Sequence, residues 1–319
     1  MRIRDEAGQA AALTAVFMTV LLASCAAVLD VGAWFRDDRD TQRIADAAAL
    51  AGAQELPKSR SAAEAAARAY AKDNGLVLPA DGTAFIVDFE SKSTVDDTIS
   101  VKLERDAPGF FANIFGIAKI KVGSTAKARV AVPGEAKYVA PVVVNEKHPR
   151  LVAREYGEDN AATIVLEKQH RRGSGDAAGS FSLLNLDAGS SGAPGTDTMA
   201  RWMLKGYEDL LGPGIFRAAP SALFNSSEMS EALTKRTGTI VLFPVCKATG
   251  AGDACRIDRG GQTAEYEIIG WVAFHITGFD NRGVDGVIDG YFTDAIWQGE
   301  IPPSQTTPDF GVRTIALVD

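Results

Sequence analysis

Ala7-Gly-Gln-Ala-Ala-Ala-Leu-Thr-Ala-Val-Phe-Met-Thr-Val-Leu-Leu-Ala-Ser-Cys-Ala-Ala-Val-Leu29 carries no charged side chain. As a helix rising about 1.5 Å per residue it is roughly 35 Å long, enough to cross a hydrocarbon core of about 30 Å. A soluble core helix would break such a run with charges every turn or two. Arg2 and Arg4 precede it, whereas the far flank begins at Asp30 and is mixed in sign. The positive-inside rule therefore predicts a single-pass protein of the cell (inner) membrane, with residues 1–6 cytoplasmic and the bulk of the chain outside.

The helix signal does not stop at the membrane. From Arg36 to Leu56 the sequence is rich in Ala, Leu, Gln and Arg, and the first breaker is Pro57. One helix is thus predicted to leave the bilayer and continue for several turns. Ala45, Ala49 and Ala53, with Ala48 and Gly52, make smooth ridges that allow another backbone a close approach, so these five are candidate helix–helix interface residues. A plain alanine-rich connector would use the same letters.

These features together carry a resemblance. A basic start, Glu6-Ala-Gly-Gln9, the apolar span, Leu29-Asp-Val-Gly32 and then Gln42-Arg-Ile-Ala-Asp-Ala-Ala-Ala-Leu-Ala-Gly-Ala53 resemble the TadE/TadG-like proteins of the tight-adherence (Flp) pilus system. The resemblance covers residues 6–56 and is looser beyond. It implies a minor-pilin-like or assembly protein, anchored in the membrane, whose partners are other pilin-like or Tad-system membrane proteins and the bilayer. Asp30 and Gly32 become membrane-exit residues, and Asp30 is expected either to pair with Arg36 or Arg39 of a neighbouring helix or to lie in the headgroup layer. Leu22-Ala-Ser-Cys25 also fits a lipobox, so a lipidated Cys25 after a cleaved leader is the competing reading; the apolar sequence continuing through Phe35 and the acidic Asp5 and Glu6 weigh against it. A prepilin-type cut after Gly8 is disfavoured, because that processing wants Glu where this chain has Leu13.

The chain has 319 residues with 46% hydrophobic and 23% charged, room for the anchor and one or two folded domains. A net charge of −8 and pI near 5.1 lack the basic footprint of a nucleic-acid binder. The fold class is α+β: residues 7–29 a transmembrane helix, 30–132 a pilin-like helix laid on an antiparallel sheet, 133–137 a linker, and 138–319 a β-rich extracytoplasmic domain. Within 30–132, Ser61-Ala-Ala-Glu64 reads as a capping box opening a helix that runs to Asp73 and stops at Asn74-Gly75. Strands are expected at 84–89 and 98–103, a short helix over 107–116, and two strands, 117–122 and 124–132, hinged at Gly123. Phe110, Phe111 and Phe115 read as core filling, with a partner-binding patch as the alternative.

Beyond residue 137, strands are expected at 138–144, 163–167, 181–186, 239–245, 266–276, 284–292 and 312–318, with loops at 171–180 and 189–194. One helix starts at Thr196 or Asp197 and is expected to reach Gly212; a second, capped within Asn225-Ser-Ser-Glu228, ends near Arg236.

Cys246 and Cys255 bracket a glycine-rich turn and outside the cell are expected to form a disulfide, with two free thiols as the alternative. The chemistry of an enzyme is missing from the sequence. His148, His170 and His275 lack metal-ligand spacing, and there is no HExxH, G-x-S-x-G or phosphate loop. His275 reads as a hydrogen-bonded core histidine, and Asp176, Asp187 and Asp197 as loop residues. The weak Ca²⁺ candidate is Asp280, Asp285 and Asp289 with Asn281, whose letters Asx-Gly turns explain equally. The expectation is a non-enzymatic protein without cofactor, the alternative being a membrane-tethered or lipidated adhesin or ligand-binding protein outside any pilus.

Overall fold

The computed structural model describes residues 6–77, 82–165, 181–187, 192–249, 255–258, 264–281, 286–304 and 307–318. The chain is α+β and divides into two compact units, residues 1–130 with 316–319, and residues 131–315.

The first unit begins with α1, Glu6–Ala53, a single helix of 48 residues. It is long and apolar enough at its N-terminal end to span a membrane, and that stretch packs against no other part of the described residues. Threonine and serine hydroxyls within it donate to the carbonyl four residues back, Thr14 to Ala10 at 2.9 Å and Thr19 to Ala15 at 2.8 Å, so these polar groups are satisfied inside the helix, as lipid requires. Helix α2, Arg60–Asp73, follows. Its cap is Ser59 rather than the expected Ser61: the Ser59 hydroxyl accepts from Ala62 N–H at 3.1 Å. Gly75, at φ +94°, supplies the left-handed stop.

Strands β1 (Ala84–Glu90), β2 (Thr98–Pro108) and β3 (Lys119–Ala131) form an antiparallel meander. The hinge expected at Gly123 is absent. β3 runs through it in unbroken register, with Gly123 opposite Glu104, because β2 is long enough to pair along its whole length. The short helix expected over 107–116 is only a 3₁₀ turn, Ala112–Phe115, since residues up to Pro108 are held in β2. On β2, Ile99, Val101 and Leu103 alternate inward and are buried, forming with the alanines of α1 and α2 the core of the unit.

The second unit opens with β4 (Glu135–Ala136), β5 (Val142–Asn145), α3 (Pro149–Val152), β6 (Ala162–Val165) and β7 (Phe181–Leu183). Then come α4 (Thr196–Lys205), β8 (Gly214–Arg217), α5 (Ser227–Arg236), β9 (Ile240–Cys246) and β10 (Arg256–Asp258). The remainder is β11 (Ala264–Asp280), β12 (Val287–Thr293), β13 (Ala295–Ile296), β14 (Gly299–Glu300) and β15 (Val312–Val318), whose last residues belong to the first unit. The segment expected as a linker is therefore structured: β4 pairs with β14, and Ala136 is fully buried.

The main sheet has the order β6-β12-β11-β9-β5-β7, with β8 and β10 pairing to the start of β11. It is mixed, because β5 runs parallel to β9 while β11 is antiparallel to β9 and β12. Its core is aromatic: Phe274 lies 5.7 Å from Phe243 and 5.1 Å from Phe292 between ring centroids. Helix α4 ends at Gly206, well short of the expected Gly212. Gly206 takes φ +80° and lies so close to the Tyr138 backbone that no Cβ fits. Helix α5 is capped by Ser226, which accepts from Met229 N–H at 3.1 Å.

Candidate functional site

The place where α1 leaves its apolar run is the most elaborated part of the first unit. Asp30 is only 2% exposed. Its carboxylate accepts the backbone N–H groups of Phe110 at 3.0 Å, of Phe111 at 3.0 Å, and of Ala112. Three successive N–H donors converge on one anion, so the charge is satisfied within the chain and needs no arginine from a neighbouring helix. One turn on, Trp34 Nε1–H donates to the Pro108 carbonyl at 2.9 Å. Further out, the Arg105 guanidinium bridges Asp37 and Asp40 at 3.3 and 3.1 Å. Hydrogen bonding from Arg43, and then from Arg105, holds the Asp40 carboxyl below its usual range against the opposing effect of burial.

These contacts clamp the end of β2 along α1 and leave the following turn exposed. Phe110, Phe111, Ile114 and Phe115 do not fill the core: Ile114 is 80% and Phe115 76% exposed. The reason is local. Gly109 N–H closes the neck on the Ala118 carbonyl at 2.9 Å, and a Cβ at Gly109 would meet the Ile117 carbonyl and stand 3.2 Å from Ala112 Cβ. With the backbone amides turned toward Asp30, the side chains of the turn point away from the helix and the sheet.

The small-residue ridges of α1 are brought together inside the unit. Ala45, Ala48, Ala49 and Ala53 are fully buried, and Gly52 is buried with them. A Cβ on Gly52 would stand 2.5 Å from Ile99 Cδ1, 2.9 Å from the Ala63 carbonyl and 3.3 Å from Ala67 Cβ. The close approach these residues allow is thus taken by α2 and β2. Gly32, by contrast, has nothing within 4 Å of its Cβ position, and Cys25 is exposed and unpaired on the span.

In the second unit Cys246 and Cys255 are joined, with Cα atoms 5.7 Å apart. Asp289 accepts the Thr163 hydroxyl at 2.8 Å, and Asp280 lies opposite Val287 in the β11–β12 pairing. Asp285, His170 and Asp176 lie outside the described residues. Among the described residues no cluster of three His, Cys, Asp or Glu side chains is placed to hold a metal. His275 is partly buried and stacked on Tyr291, directly opposite it in the hairpin, at 4.7 Å between ring centroids, and its Nδ1 is buried without a hydrogen-bond partner among the described residues, so it is not the hydrogen-bonded core histidine expected. His148 is the buried one: burial pushes its pKa down, and its ring meets Phe292 edge-on at 5.0 Å. A small surface groove between α4 and α5 is lined by charged side chains, among them Asp197, Arg201, Glu228 and Lys235.

The Asp30 hook and the exposed turn have only one sequence signal, an Asp at the end of a charge-free helix and a Phe-rich segment after a strand; their pairing across 80 residues is a tertiary fact. No curated protein and no solved structure matches the chain. Residues 8–55, coextensive with α1 to within two residues at each end, match the family model Tad, described as putative Flp pilus-assembly TadE/G-like.

Proposed function

We propose that this chain is a membrane-anchored, non-enzymatic component of a Flp/Tad-type pilus or secretion apparatus, acting as a minor-pilin-like or assembly protein. One observation carries the reading: the stretch matched by the pilus-assembly family model is α1 itself, from the apolar span to the buried alanine ridges. The N-terminal end of that helix exposes Leu13, Phe17 and Leu22, on opposite sides of the helix and packed against no other described residue, apolar surface by which a pilin-like helix would lie beside others in the bilayer. Residues 1–6 are cytoplasmic in this reading, α1 crosses once, and both units are extracytoplasmic, where the Cys246–Cys255 disulfide is stable.

The test is a photo-reactive residue at Phe17 or Leu22 in cells carrying the native system. Cross-links to apolar helices of other pilus-system membrane proteins are expected. Cross-links to lipid alone would overturn the reading and favour a solitary tethered protein. The mass of the chain from the same membranes separates an uncut anchor from one cleaved and lipidated at Cys25.

A further inference from the structure

Three contacts fix the path of β2 beside α1. Arg105 meets Asp37 and Asp40, Pro108 meets Trp34, and Phe110 to Ala112 meet Asp30. As the strand advances, its helix partner moves back by seven residues, about 10 Å along the axis. The strand therefore descends toward the apolar run, and the turn at its end arrives at the first residue after Leu29. That turn, Gly109 to Ala118, contains no charged residue. The first charges on either side are Asp106 and Lys119, which pair with each other at 2.6 Å above it. The turn displays Phe110, Phe111, Ile114 and Phe115 to the outside, and the Asp30 hook sets it at the level of α1 where the charge-free run ends.

We infer that this turn is a second membrane contact: a wedge whose Phe and Ile side chains enter the headgroup–acyl boundary of the outer leaflet beside the point where α1 emerges. The inference rests on the membrane-anchored reading of α1. Lipid is the occupant the geometry favours, for three reasons. The patch stands at the level of α1 where the charge-free run ends, held by the residue that follows Leu29. It occupies the 5–10 Å layer in which interfacial aromatics and amphipathic elements lie, as an order of magnitude. Trp34, whose indole N–H is tied to the neck of the turn, adds the side chain enriched at that depth. The Asp30 hook gives the wedge its rigidity. It also removes an otherwise unpaired carboxylate from the edge of the hydrocarbon, where an isolated charge is costly.

The experiment uses the full chain, with its disulfide intact, reconstituted in phosphatidylcholine vesicles. Single cysteines at Phe17→Cys, Ile114→Cys and Val95→Cys, each with Cys25→Ser, carry an environment-sensitive fluorophore. All three positions are exposed, so labelling displaces no packing. Lipids brominated near the carbonyl end of the acyl chain, lipids brominated deeper, and aqueous iodide serve as quenchers. The expected pattern is quenching of Phe17→Cys by deep bromines, of Ile114→Cys by shallow bromines, and of Val95→Cys by iodide alone. Ile114→Cys quenched by iodide and not by bromolipid, with Phe17→Cys still in lipid, overturns the wedge and leaves the anchor standing. Ile114→Cys shielded from both quenchers, with shielding lost as protein is diluted in the vesicles, overturns it in favour of a second copy. Phe17→Cys quenched by iodide overturns the anchor and the wedge together.

Discussion

Asp30 and Phe111 are 81 residues apart in sequence, and both carboxylate oxygens of Asp30 accept the one backbone N–H of Phe111, at 3.3 and 3.0 Å. With Phe110 and Ala112 donating to the same group, the first charge after the span is the fastening of the β2–β3 turn to α1. Asp30→Ala leaves three backbone donors without their acceptor, each unmade bond costing about 1–3 kcal/mol where water cannot replace it. Amide hydrogen exchange at Phe110, Phe111 and Ala112 in the detergent-solubilised chain should lose its protection, while α2 and the second unit keep theirs. Asp30→Asn, which retains one carbonyl oxygen, should retain part of it. Unchanged exchange in Asp30→Ala would show that the carboxylate does not hold the turn.

Two glycines on the same helix should respond in opposite directions. Gly52 has α2 and Ile99 against it, so Gly52→Ala overpacks the core and should destabilise the first unit by about 1–3 kcal/mol. Gly32 has open space, so Gly32→Ala should raise helix stability by up to about 1 kcal/mol. Thermal unfolding of the two variants in detergent checks both. If Gly32→Ala melts no lower than the parent yet fails to restore pilus assembly in cells lacking the parent, Gly32 is a contact for another chain.

What the sequence made legible was local. The charge-free run and the helix formers behind it specify α1 almost to its ends, because nothing in 48 residues breaks an i to i−4 ladder. Period-two alternation located most strands, since one face of each meets a core. Where structure and local sequence part, partners distant in sequence are the cause. Gly206 stops α4 because the Tyr138 backbone lies against it, a fact with no local signature. Gly123 looks like a hinge until Glu104 is placed opposite. Their apolar character places Phe110, Phe111 and Phe115 in the core, whereas the Asp30 hook and the tight neck at Gly109 leave them exposed. The five small residues of α1 were legible as a close-packing surface, but not that α2 and β2 occupy it.

The Cys246–Cys255 bridge closes a loop with a separation of 9 residues. The chain-entropy relation gives a stabilisation of about 2–3 kcal/mol for a ring of that size. Cys246→Ser with Cys255→Ser should lower the urea midpoint of the second unit and leave that of the first unchanged. Adding dithiothreitol to the parent should reproduce the shift. Equal midpoints with and without reductant would mean that the sheet around β9 holds this loop unaided.

Acid should weaken both units, each through a different carboxylate. In the first, Asp97 is buried, which opposes ionisation. The N–H groups of Ser93, Thr94 and Lys92 and the Thr98 hydroxyl outweigh that burial and hold its pKa below the ordinary value. In the second, burial of Asp309 is likewise outweighed by Arg313, the Gly311 N–H and Arg154, and its pKa falls well below the ordinary range. A carboxyl whose folded pKa lies below the unfolded value of about 3.9 favours the folded state fully above that value, and the benefit disappears as pH falls through the folded pKa. Stability of the first unit should therefore be level from neutrality down to about pH 5 and then decline, whereas that of the second should begin to fall below about pH 6.5, where the unfolded chain protonates His148 and the buried imidazole resists, and fall further as Asp309 is protonated. Hydrogen exchange at a series of pH values, corrected for the intrinsic pH dependence of the exchange chemistry, reads both units in one sample. Asp97→Asn should lower first-unit stability at pH 7 and flatten its acid decline, leaving the second unit's decline intact; Asp309→Asn should do the reverse. If Asp97→Asn leaves the acid slope of the first unit unchanged, other carboxylates govern its acid sensitivity, and the Asp97 turn serves only to shape the β1–β2 connection.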